Sequence, residues 1–141
     1  MELIRRNTDY ALRVLTLMGL AEKDKIFYAR DLAAREEVPK VFMHKILQKL
    51  VAGKILRSHR GRFGGGFSLA ADARRISLKD IMDIMQGPFA VNRCYLEKGK
   101  CHRMETCPLH RQLQKAQKEI ENTLGKLKLD TLTRARVKLN K

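Results

Sequence analysis

Two short stretches with helical apolar phasing, separated only by Val38-Pro39, constrain this chain most. Proline disfavours the α region for the residue before it, so a helix over Ala29–Glu36 must stop there. A second helix restarts at Lys40 and runs to Ala52, with Val41, Ile46, Leu47, Leu50 and Val51 expected on its inward face and Gly53 as its stop. Two helices joined by so tight a turn form a helix-turn-helix candidate. Directly after it, Ile55–His59 and Phe67–Leu69 read as strands joined by Gly61–Gly66, where four of six residues are glycine and supply the backbone freedom of a tight hairpin. Helix-turn-helix followed by hairpin is the layout of a winged helix.

The flanking segments complete a mainly α chain. A first helix is expected over Thr8–Ala21, with Tyr10, Val14, Leu17 and Met18 on one face and Asn7 or Thr8 as its cap. Ile26-Phe27-Tyr28 is β-prone. Ser77-Leu78-Lys79-Asp80 resembles a capping box opening a helix to Met85, which Gly87-Pro88 ends. Phe89–Cys107 has no periodicity. Pro108 sits where proline suits a first helical position, and Leu109, Leu113, Ala116, Ile120, Leu124 and Leu127 follow at near-heptad spacing. That seam predicts a long helix pairing with a second copy of the chain, followed from Leu129 by a short basic segment. The expected organisation is therefore a winged helix-turn-helix domain over 1–88, a cysteine-containing loop over 89–107, and a dimerisation helix with a basic tail over 108–141.

Charge says what such a fold meets. The 141 residues hold 30 Lys+Arg against 15 Asp+Glu, a net charge of +15. From Lys40 to Arg62 there are seven basic residues and no acidic one. Basic side chains displace counterions from DNA, and a helix fits the major groove, so the coincidence of charge with a winged helix favours double-stranded DNA over a merely solvated basic face. Lys40, Val41, His44, Lys45 and Gln48 on the second helix are the expected DNA-binding residues, with Arg60 and Arg62 at the wing. A basic RNA-binding or ribosome-associated protein with structural zinc is the alternative. Gly64-Gly65-Gly66 lacks the Gly-Lys-Ser/Thr ending of a nucleotide loop. No apolar run reaches membrane-spanning length and no apolar leader opens the chain, so a cytoplasmic protein without a membrane partner is expected.

The cysteines Cys94, Cys101 and Cys107 fall within fourteen residues, and His110 follows. An odd count in a reducing compartment argues against a disulfide framework and for metal. Cys107 would cap the helix opening at Pro108, where the positive end of the helix dipole favours an anionic sulfur. Gaps of six and five residues are wider than zinc fingers use, which disfavours zinc. Thiolates also suit an iron–sulfur cluster with one further ligand. A Cys/His nucleophile pair is a conceivable enzyme site, but no second pocket-forming domain accompanies it.

Taken together, Leu3-Ile4-Arg5-Arg6-Asn7-Thr8-Asp9-Tyr10-Ala11-Leu12-Arg13, the wing Arg60-Gly61…Gly64-Gly65-Gly66-Phe67 and the three-cysteine loop resemble the iron–sulfur winged-helix transcriptional regulators, the IscR/NsrR-like family. The resemblance runs from residue 1 to about residue 125. It implies a homodimer in which the cluster loop lies near the partner's DNA-binding domain and couples cluster status to operator affinity. It makes Cys94, Cys101 and Cys107 cluster ligands. His110 matches the fourth-ligand histidine of one branch, and Asp9 matches the acidic residue that the nitric-oxide branch supplies from the other subunit. Both 2Fe–2S and 4Fe–4S clusters are compatible with it.

Overall fold

A computed structural model describes residues 2–61, 65–96 and 101–140. The main core is built by α1 (Arg6–Gly19), α2 (Ala29–Arg35), α3 (Lys40–Ala52) and α4 (Leu78–Gln86), with a hairpin of β1 (Leu56–His59) and β2 (Gly66–Leu69) between α3 and α4. A four-residue helix α5 (Arg93–Leu96) precedes the long α6 (Pro108–Lys126), and α7 (Leu129–Leu139) returns to α1.

Helix α3 has the expected bounds, but its inward face differs. Met43, Ile46, Leu47 and Leu50 are buried, whereas Val41 is 68% exposed. The buried four follow the i, i+3, i+4, i+7 rule; Val41 lies five residues before Ile46 and falls off that stripe. Gly53 ends α3 with φ −80°, and Lys54 takes the left-handed conformation instead (φ 62°). Glycine at 53 serves close approach, because a Cβ there would lie 2.6 Å from Ile84 Cδ1 on α4.

The hairpin pairs Leu56 with Leu69 and His59 with Gly66, antiparallel. Phe27 adds a third, isolated rung: its N–H donates to Phe67 O at 2.8 Å, and Phe67 N–H returns the bond at 2.7 Å. The β-prone Ile26–Tyr28 stretch thus steadies the wing from outside.

Three further features differ from expectation. Helix α1 starts at Arg6 without a side-chain cap; Thr8 is buried and donates from Oγ1 to Gln86 Oε1 at 2.7 Å. Gln86 also accepts from Arg5 N at 3.0 Å and donates to Leu3 O at 2.9 Å, so the end of α4 holds the start of α1. The seam on α6 is partly spent within the chain: Leu124 is buried with Leu78 and Met82 of α4, and Ile120 and Leu127 pack on that cluster. Only its N-terminal part stays open, with Leu109 57% exposed. Finally, the expected basic tail is the helix α7, whose Leu129 belongs to the main core. Thr133 of α7 sits where a Cβ on Gly19 would be 2.6 Å from its Oγ1, so glycine lets the two helices meet. The chain turns between α6 and α7 through a bridge in which Leu78 N donates to Leu127 O and Leu129 N to Ile76 O, both at 2.8 Å. The capping box at Ser77 is present, with Asp80 N donating to Ser77 Oγ at 3.0 Å and Ser77 N to Asp80 Oδ2 at 2.9 Å.

Candidate functional site

Burying Met43, Ile46, Leu47 and Leu50 turns the opposite face of α3 to solvent. Lys40, Val41, His44, Lys45 and Gln48 are all exposed there, as the sequence pattern requires of a recognition helix. Phe42 is held beside α1, its ring 6.3 Å from that of Tyr10. Not all of the basic run serves this face. Lys49 Nζ donates to Met85 O at 3.2 Å, placing a cation at the C-terminal end of α4 where the helix dipole favours it. Arg57, on β1, lines a cleft with Lys25, Asp72 and Arg74.

Arg60 is exposed where the chain leaves β1. His59 Nε2 and Ser68 Oγ, 2.8 Å apart, tie the two strands just below it. Gly65 has φ +79°, and a Cβ there would lie 2.1 Å from His59 O, so only glycine closes the wing in this shape. Arg62, the other expected wing residue, lies outside the described residues.

The cysteine region is organised by α6. Cys107 caps it, its Sγ accepting from His110 N at 3.4 Å. His110 Nδ1 is 3.2 Å from Cys94 Sγ on α5, which brings Cys94, Cys107 and His110 to one end of one helix. Two residues that the motif reading passed over hold this arrangement. Tyr95 stacks on the His110 ring (centroids 4.8 Å apart) and donates from its hydroxyl to His110 O at 2.6 Å. Burial, and after it the Cys94 and Cys107 sulfurs, push the Tyr95 phenol above its ordinary range, so it stays a donor. Buried Gln117 accepts from Val91 N at 2.8 Å and donates to Phe89 O at 2.9 Å, pinning the loop's start to α6. No periodicity marks either residue; a glutamine one place beyond Ala116 of an apolar seam was the only available hint.

The expected ligand set is not gathered in full. Among the described residues no three His, Cys, Asp or Glu side chains come together closely enough to hold a metal ion. Cys101 is exposed, in a stretch where His102, Arg103, Glu105 and Thr106 are exposed too and Met104 is half-buried. Asp9 is paired with Arg13 at 2.8 Å. The donor chemistry suits a soft metal centre through Cys94 and His110, with Cys107 beside them.

A hairpin wing behind an exposed, basic second helix defines a winged-helix DNA-binding protein. A family model described as Rrf2, an iron-dependent transcriptional regulator, matches residues 4–135, and the chain belongs to that family. It is 30% identical over 139 residues to protein aau3 of Rhizobium meliloti, covering 97% of this chain and 88% of that one. It is 27% identical over 99 residues to the HTH-type transcriptional regulator NsrR of Oceanobacillus iheyensis, covering 70% of this chain and 66% of the relative. The fold matches CymR, the global cysteine regulator of B. subtilis, with a TM-score of 0.73 at 16% identity, covering 96% of this chain and 98% of that one. The family is one of transcriptional regulators and NsrR is named as one, which sets aside the enzymatic and ribosome-associated readings. Among the described residues no helix is long and apolar enough to cross a membrane.

Proposed function

We propose that this chain is a homodimeric regulator that binds a double-stranded DNA operator and senses redox state, nitric oxide or iron supply through an iron–sulfur cluster. The ligands are Cys94, Cys101, Cys107 and His110. The observation that carries the reading is the 3.2 Å approach of His110 Nδ1 to Cys94 Sγ at the helix end that Cys107 caps. Two sequence-distant donors meet there, held by Tyr95 and Gln117, which have no part in the DNA-binding face. The iron dependence in the family's description and the resemblance to iron–sulfur regulators support the same assignment. When bound, a cluster supplies a centre whose oxidation, nitrosylation or loss changes the charge and anchorage of the loop. Cys101 joins the set by folding its exposed turn inward. His110 is the fourth ligand rather than the partner subunit's Asp9, because its Nδ1 already lies 3.2 Å from Cys94 Sγ on the first turn of the helix that Cys107 caps. The dimer forms through the open part of the α6 seam, where Leu109 is exposed and Leu113 and Ala116 are half-buried.

Anaerobically purified protein tests this through its absorption spectrum and its iron, sulfide and zinc content. A brown protein with equal iron and sulfide is expected, losing colour in Cys94→Ala and His110→Ala and keeping it in Asp9→Ala. A colourless protein with stoichiometric zinc refutes the cluster. Loss of colour in Asp9→Ala but not His110→Ala moves the fourth ligand to the partner.

A further inference from the structure

Among the described residues, Val41 belongs to neither hydrophobic cluster and packs against neither. At 68% exposure on the first turn of α3, it holds a β-branched apolar side chain in water, which costs solvation and adds nothing to helix propensity. Its neighbour Phe42 is turned toward Tyr10 and helps seat the helix. Exposed Lys40, His44 and Lys45 surround Val41, in a run from Lys40 to Arg62 with no acidic residue. The surface that accepts this residue is therefore polyanionic yet offers an apolar spot. In a DNA major groove the apolar feature of a base-pair edge is the C5 methyl of thymine.

We propose that Val41 is a specificity-determining residue that reads a thymine methyl in each operator half-site. This rests on α3 being the recognition helix. Lys40 and Lys45 on either side meet phosphates and fix the register, contributing affinity without sequence information. His44 and Gln48, one and two turns further along the same face, present hydrogen-bonding groups to neighbouring bases.

The test begins with selection of a consensus from a random-sequence duplex pool by the wild-type chain, purified anaerobically. Binding by wild type, Val41→Ala, Val41→Thr and Lys45→Ala is then followed by fluorescence anisotropy. The probes are the selected duplex and copies in which each thymine in turn is replaced by uracil, which lacks only the methyl. Burying one methyl predicts a loss of about fourfold for wild type at one thymine of a half-site. Val41→Ala loses about the same on the thymine duplex and is indifferent to uracil there, while Val41→Thr, which keeps a methyl, retains sensitivity. Lys45→Ala weakens thymine and uracil duplexes alike and lowers the salt slope by about one. Val41→Ala with unchanged affinity, or still as sensitive to uracil as wild type, overturns the proposal while leaving DNA recognition by α3 intact. Failure of wild type to select any consensus overturns both.

Discussion

Replacing Arg136 with alanine should cost about 3 kcal/mol of stability and weaken DNA binding, although the residue lies far along the sequence from the helix-turn-helix. Arg136 projects from α7 and meets Glu36, the residue that closes α2, with Nη2 2.5 Å from Oε1. Its Nη1 donates to Arg13 O at 2.9 Å and Thr16 Oγ1 at 3.1 Å, so one guanidinium ties α7 to α1 and to the turn before α3. The Glu36 side chain is 8% exposed and that of Arg136 26%. Removing one partner of a buried pair strands the other, at about 3–5 kcal/mol; the lower end applies because water reaches Arg136. For a chain of this length that loss corresponds to roughly 10 °C in Tm. Urea unfolding of wild type, Arg136→Ala, Glu36→Gln and the double variant should give a coupling of about 2 kcal/mol. Arg136→Lys keeps the charge but not the fork and should recover only part. Operator affinity, measured by anisotropy, should fall with stability because the turn that sets α3 loses its brace. A loss on the order of 0.5 kcal/mol, typical of a solvated surface pair, or full additivity in the cycle, refutes this reasoning.

Gly65→Ala should lower stability by about 1–3 kcal/mol and reduce DNA affinity, since its Cβ would meet His59 O and its φ of +79° is strained for alanine; urea melts and anisotropy check both. Asp72 accepts from the Arg74 side chain and N–H, which lower its pKa to about 2 from an ordinary 3.8. A depressed carboxyl contributes stability above the unfolded value, lost as pH falls through about 2. NMR titration should place the Asp72 midpoint near 2 in wild type, and nearer 3.8 in Arg74→Ala; an unmoved midpoint refutes the assigned cause.

Sequence signals that act locally were legible. Pro39 set the start of α3, Ser77 and Asp80 capped α4, Pro108 opened α6, and the glycine cluster marked the hairpin. What depends on remote partners was not. Thr8 looks like a cap until Gln86, from the other end of α4, takes its hydroxyl. The α6 seam has the spacing of an intermolecular interface, yet Leu124 finds Leu78 and Met82 in its own chain. Helix α7 repeats Leu129, Leu132, Thr133 and Arg136 at helical spacing, but a threonine and an arginine disguise its inward stripe; Thr133 is buried against a glycine on α1 and half-buried Arg136 is held by a buried glutamate. At the cysteines, the clustering in sequence was plain. The meeting of Cys94 with His110 depends on α5 and Tyr95, which no periodic pattern announces.

The docking of α7 on α1 also sets a schedule for the newborn protein. Helix α1 is completed by a helix made long after it, and Leu129 reaches the core only once the segments between them have been translated. At about 5–20 residues per second, roughly 6–24 seconds separate the synthesis of Gly19 from that of Leu139. During that interval the side of α1 that receives α7 is uncovered and Glu36 lacks its guanidinium. A nascent chain therefore displays α3 before the turn supporting it is braced. Holding chaperones have their opening in the same interval, and a product that stops short of Leu129 never leaves it.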